Sequence, residues 1–166
     1  PEILPADVLE WLGLAGQAKI DLVDIPGANP VPYNPQEGTA GLVLLAVAPV
    51  TAGSPGGDLI GAVMIGHLLN QDYTLVDRIK EVAGVDTSTI FLGDMRVSTN
   101  VPDEKGERAI GTRVSQAVYD TVLTKGQDYT GRALVVNQWY ITRYKPLRDH
   151  TGAVIGILYV GAEEAS

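Results

Sequence analysis

Thr87-Ser-Thr-Ile-Phe-Leu-Gly-Asp-Met-Arg-Val-Ser-Thr99 is the stretch on which the fold turns. Two strand-like runs, Thr87–Leu92 and Met95–Thr99, flank Gly93-Asp94, a dipeptide of the kind that closes a β-hairpin. Hairpins join antiparallel strands, whereas parallel strands need a crossover of a dozen or more residues. An antiparallel sheet is the expectation.

Downstream, a polar loop over 102–107 leads to Ser115, which reads as a helix N-cap. Val118, Tyr119 and Val122 would share one helical face, and Gly126 would stop the helix. Three strand-like runs with tight turns follow, at 132–136, 139–147 and 153–160. Upstream, Asp72 can cap a helix carrying Leu75, Val76, Ile79 and Val82 at helical spacing, closed by Gly84. Before it, apolar segments at 42–50 and 59–69 enclose a Gly- and Pro-rich turn, a second hairpin pattern. The first 40 residues suggest a short helix over 5–14, a strand over 19–25, and then a proline-rich loop.

The two hairpin patterns repeat one another. Ala48-Pro49-Val50 is followed by Leu59-Ile60-Gly61 and Gly66; Lys145-Pro146-Leu147 is followed by Val154-Ile155-Gly156 and Gly161. The glycines have equal spacing in both copies, and the turns differ by two residues. The matched Pro, Ile-Gly and Gly positions favour genuine repetition over convergent hairpin text.

Composition bounds the function. The 166 residues hold 12 Lys+Arg against 20 Asp+Glu, a net charge of −8, which disfavours a nucleic-acid partner. With 45% hydrophobic and 19% charged residues, the chain has the means to build a core. Cysteine is absent, so disulfides, thiolate catalysis and zinc–thiolate sites are excluded. No apolar run reaches the length of a membrane span. The opening Pro1 reads as the start of a piece of a longer protein. No nucleophile motif, phosphate-cradling loop or acid–base pair stands out, so an enzyme is not expected and no cofactor or metal is implied. His67 reads as structural and His150 as a solvated turn residue.

Binding has more to draw on. Residues two apart share a face of a strand, so Tyr140, Thr142 and Tyr144 lie together, opposite Trp139, Ile141, Arg143 and Lys145. Two phenols and a hydroxyl can line an apolar pocket, or equally sit in the core. Arg113 precedes the Ser115 cap, and Arg96 and Arg132 can add positive charge to the same cavity. Alternatively, an arginine pairs with Asp94 or Asp128 to hold loops.

The stretch 89–161 resembles a Cache domain, the extracytoplasmic sensor module of bacterial receptors. The resemblance rests on Thr89-Ile-Phe-Leu-Gly-Asp-Met-Arg-Val-Ser-Thr-Asn-Val101, Arg108-Ala-Ile-Gly-Thr-Arg-Val-Ser115 and Gly131-Arg-Ala-Leu-Val-Val-Asn137. Trp139-Tyr-Ile-Thr142, Pro146-Leu-Arg-Asp149 and Val154-Ile-Gly-Ile-Leu-Tyr-Val-Gly161 complete it. It is closest to the double Cache regions of histidine kinases and methyl-accepting chemotaxis proteins. The fold so implied is α+β and PAS-like, with a central antiparallel sheet flanked by helices. Residues 70–166 would be a membrane-proximal Cache domain and 1–69 part of a membrane-distal one. The parent would be a membrane-spanning receptor with a periplasmic sensor and a cytoplasmic signalling domain. A small molecule, a carboxylate on the strength of the arginines, would bind among Arg96, Thr99, Arg113, Arg132, Tyr140, Thr142 and Tyr144. A homodimer is expected, and the alternative is a ligand-free dimerisation or protein-interaction module of the same receptor type.

Overall fold

The structure, a computed structural model, describes residues 1–53 and 55–163. Eight strands form two sheets in which every pairing is antiparallel. The first contains β1 (Glu2–Leu4), β2 (Gly41–Thr51) and β3 (Leu59–Leu68), in the order β1-β2-β3. The second contains β4 (Thr87–Leu92), β5 (Met95–Thr99), β6 (Tyr129–Val135), β7 (Gln138–Arg148) and β8 (Val154–Glu163). Its order is β5-β4-β8-β7-β6. The expected antiparallel sheet is thus present, with Gly93 at φ 55° in the β4–β5 turn, a conformation that glycine adopts without strain.

Short helices accompany the sheets: α1 (Ala6–Trp11), α2 (Ala15–Ala18), α3 (Thr74–Ala83) and α4 (Gln116–Val118). α3 begins where Asp72 Oδ1 accepts the Thr74 N–H at 2.9 Å. It ends at Gly84, whose φ of 64° gives the left-handed stop. α4 has Ser115 at its N-cap position but no side-chain cap bond, and it widens into a π turn over Tyr119–Thr124.

The strand alternation divides the second sheet into two packed faces. On one, Phe91, Tyr144, Ile157 and Tyr159 pack with Val118 and Val122 from α4 and the π turn. On the other, Ile90, Leu92, Met95 and Val97 pack with Val76 of α3 and with Ile20 and Leu42 from the N-terminal third. The two helices therefore lie on opposite faces, and only the later one stands on the side of Phe91 and Tyr144. Burying side chains such as Val76 stabilises by roughly 1.5–3 kcal/mol each.

The stretch 19–25 is not a strand. Ile20 N–H donates to the Gly38 carbonyl and Val23 N–H to the Gly111 carbonyl, so its backbone is tied to separate places rather than to a ladder. It begins a strap that crosses the second sheet's loops before returning to β2. Asn29 fixes it there: its Nδ2 donates to Asp94 Oδ2 at 2.7 Å and to the Val114 carbonyl at 2.9 Å.

A buried amide holds the N-terminal third in place. Asn70 is fully buried; its Oδ1 accepts the Leu42 N–H, and its Nδ2 donates to the Ala18 and Ala40 carbonyls. One side chain thereby joins α2, the start of β2 and the end of β3.

The repeat read in the sequence reappears as register. Val50 faces Gly61 and Leu147 faces Gly156, and in each case the register shifts at the next residue. The surroundings differ: β7–β8 is inside a five-stranded sheet, whereas β2–β3 projects as a two-stranded arm. Leu59, Ile60, Val63, Met64 and Ile65 on β3 are all more than half exposed.

Candidate functional site

Phe91 and Arg96 are register partners across the β4–β5 hairpin, which brings the Arg96 side chain to the aromatic face of the sheet. Its guanidinium carbon lies 4.9 Å from the Phe91 ring centre. Arg96 is 2% exposed, and Nη1 donates to Thr112 Oγ1 at 2.9 Å. Nε has no hydrogen-bond partner. Among the described residues no carboxylate pairs with it. Burial pulls its pKa below the usual guanidinium value, with the neighbouring Tyr144 and Tyr159 phenols acting in the opposite sense. A buried cation without a counter-charge is costly.

Arg96 lines a cavity of about 220 Å³. Tyr144 of the sheet face, Arg113, Arg132 and residues 25–28 of the strap also line it. Tyr144 is buried against Tyr159, ring centres 4.8 Å apart, and Tyr129 meets it edge-on at 5.8 Å. Burial pushes the Tyr144 hydroxyl up to about 12, so it is a neutral donor over the physiological range. The Arg132 guanidinium stacks on Trp139, 4.4 Å from the ring centre.

Arg113 is differently placed. Its Nε and Nη2 both reach Asp94 Oδ2, at 2.8 and 2.7 Å, and Nη1 donates to the Val31 carbonyl at 2.8 Å. Its charge is met by Asp94 and its fork is engaged in holding the strap. Half-buried Glu37 sits beside this pair; burial foremost, then the Asp94 carboxylate, raises its pKa.

Of the residues singled out in the sequence, Arg96, Arg113, Arg132 and Tyr144 meet at one cavity. Thr99, Tyr140 and Thr142 do not line it. Thr99 exchanges a hydrogen bond with the Thr89 hydroxyl at 2.5 Å. Thr142 donates to the Gly131 carbonyl at 2.7 Å, and Tyr140 is packed in the core near Ala133. Tyr140, Thr142 and Tyr144 do share the buried face, as the alternation required. The strap residues and Trp139 at the cavity were not anticipated. Neither has a local signal: the strap is remote in sequence, and the alternation places Trp139 on the face opposite Tyr144.

His67 pairs with Asp72 at 2.8 Å and His150 with Glu2 at 2.9 Å. Among the described residues no cluster of His, Asp or Glu is placed to hold a metal ion. No helix among them is long and apolar enough to cross a membrane.

A five-stranded antiparallel sheet in this order, with a helix, a loop and a cavity on one face, defines a PAS-like α+β module. The chain belongs to the Cache family: the model of single Cache domain 3 matches residues 67–166. Cache domains are extracytoplasmic sensing modules and generally non-catalytic. The matched stretch runs from the end of β3 through the whole second sheet, and residues 1–66 lie outside it. No curated protein matches the chain. Among solved structures, the periplasmic domain of Vibrio cholerae LuxQ is similar at 13% identity with a TM-score of 0.49. That comparison covers 93% of this chain and 60% of the LuxQ chain, so the present chain spans less than two thirds of it.

Proposed function

We propose that this chain is the periplasmic sensing region of a membrane receptor and binds a small organic anion, a carboxylate above all, at Arg96. The supporting observation is the buried Arg96 guanidinium, which lines a cavity and has no carboxylate partner within the described residues. A ligand carboxylate would supply the missing charge. Binding would bias the sheet and strap toward one arrangement by its difference in affinity for the two. The receptor carries that change across the membrane to a histidine-kinase or chemotaxis output.

Arg96→Gln tests this reading. A thermal-shift panel of small carboxylates should find ligands that raise the melting temperature of the parent. The variant should lose about ten- to a hundredfold in affinity, the worth of a charge-assisted hydrogen bond. Without ligand it should melt no lower than the parent, because an uncompensated buried charge has been removed. Unchanged affinity in Arg96→Gln would dismiss the site.

The arm favours a second reading, that of an interaction module joining two copies of the chain. A two-stranded ribbon with apolar residues on both faces is unsupported in water. Its shared register with β7–β8 supports a related proposal, that residues 1–69 form part of a second Cache-like unit. Sedimentation should show a dimer that dissociates in Ile60→Lys/Met64→Lys. A parent that sediments as a monomer at high concentration would dismiss the dimer.

A further inference from the structure

At about 220 Å³, the cavity at Arg96 falls short of the roughly 300–1,000 Å³ typical of small-molecule sites. It has a neighbour. A second cavity of about 300 Å³ shares three wall residues with it: Ile25, Pro26 and Val136. Thr112 spans the two, because its hydroxyl holds Arg96 while its side chain lines the second chamber.

The second chamber has a different chemistry. Val23, Ala109 and Ile110 join the shared residues to give it a largely apolar interior. Asp24, Asp103, Glu104, Lys105 and Arg108 stand at its edge, and two of them are held by neighbours. Asp103 Oδ1 accepts the Lys105 and Glu107 N–H groups, and Arg108 makes two bonds to Asp77, each 2.8 Å.

The partition is made of a few side chains. Ile25 and Pro26 belong to the strap, between its anchors at Val23 and Asn29. Val136, in the β6–β7 turn, has φ 59°, a left-handed conformation that strains a β-branched residue.

The geometry points to one continuous site for an amphipathic carboxylate. The carboxylate pairs with Arg96, and an aliphatic or aromatic body passes between Pro26 and Val136 into the second chamber. This rests on the reading of the first cavity as an anion site, and it adds the class of ligand: a carboxylate with an extended apolar body rather than a compact polar acid.

Titration calorimetry with butyrate, hexanoate and octanoate tests it on the parent, Arg96→Gln and Val23→Trp. Val23 is half exposed, so a tryptophan there can fill the second chamber without invading the core, and circular dichroism checks its fold. In the parent, affinity should rise about fourfold for each added methylene. Val23→Trp should flatten that rise while leaving butyrate within about twofold, and Arg96→Gln should weaken every chain length. Arg96-dependent binding that does not grow with length, or a Val23→Trp that keeps the full rise, overturns the second chamber and leaves the anion site standing. If no chain length binds, both readings fall. If octanoate binds Arg96→Gln as tightly as the parent, it is adhering to exposed apolar surface such as the arm, and the proposal is overturned.

Discussion

Asn70→Leu should lower the unfolding free energy by roughly 3–9 kcal/mol, enough to unfold much of the chain under ordinary conditions. The size follows from what the amide leaves behind. The Leu42 N–H and the Ala18 and Ala40 carbonyls all bond to this one side chain, and a leucine satisfies none of them. Each stranded buried group costs about 1–3 kcal/mol. Gln17 cannot compensate, because its Nε2 already donates to the Asn70 carbonyl at 2.9 Å. Urea denaturation monitored by tryptophan fluorescence gives the measurement, the midpoint falling at constant slope. A loss below about 1 kcal/mol would mean that the three segments are held by packing alone.

Asp94→Ala should be comparably damaging, by about 3–5 kcal/mol, because it strands a buried guanidinium. Asp94 is 3% exposed and Arg113 9%, so solvent offers the cation little help. The same carboxylate oxygen also receives Asn29 Nδ2, and its loss frees the strap as well as the arginine. The double variant Asp94→Ala/Arg113→Leu separates the two contributions. Most of the lost stability should return when the stranded charge is removed with its partner, and the strap's share should not. If the double variant is as unstable as Asp94→Ala alone, the charge is not the cause. Arg113→Ala alone should also destabilise, since the arginine carries the Val31 carbonyl as well as Asp94.

Local patterns explain why so much of the second sheet was legible. Gly93-Asp94 between two β-rich runs, and the alternation of Tyr140, Thr142 and Tyr144, each require only a few neighbouring residues to be read. The hairpin repeat was legible for the same reason, and it recurs as matched register at Gly61 and Gly156. What failed depended on distance along the chain. The run 19–25 has the text of a strand, but its backbone partners are Gly38 and Gly111. The three arginines illustrate the same limit. The sequence reading puts Arg113 first, beside the Ser115 helix start, with Arg96 and Arg132 as added charge; the structure reverses the order of Arg113 and Arg96 by what each one meets. Arg113 meets Asp94 and the Val31 carbonyl, 82 positions away. Arg96 lies over the Phe91 ring and donates to a threonine hydroxyl, and among the described residues no carboxylate pairs with it. No spacing rule distinguishes a neutralised arginine from an uncompensated one.

The open flank of β3 has a further consequence for amide hydrogen exchange. In an antiparallel ribbon, alternate backbone N–H groups point inward to the partner and outward. With no strand beyond β3 among the described residues, its outward amides should exchange with deuterium quickly while the inward set is slowed. A strand seated against that flank would protect the outward amides alternately, residue by residue. Contact with a face of the arm would leave the alternation intact. The arm is therefore its own reporter, since the parity of protection along residues 59–68 records whether a visitor docks by its backbone or by its side chains.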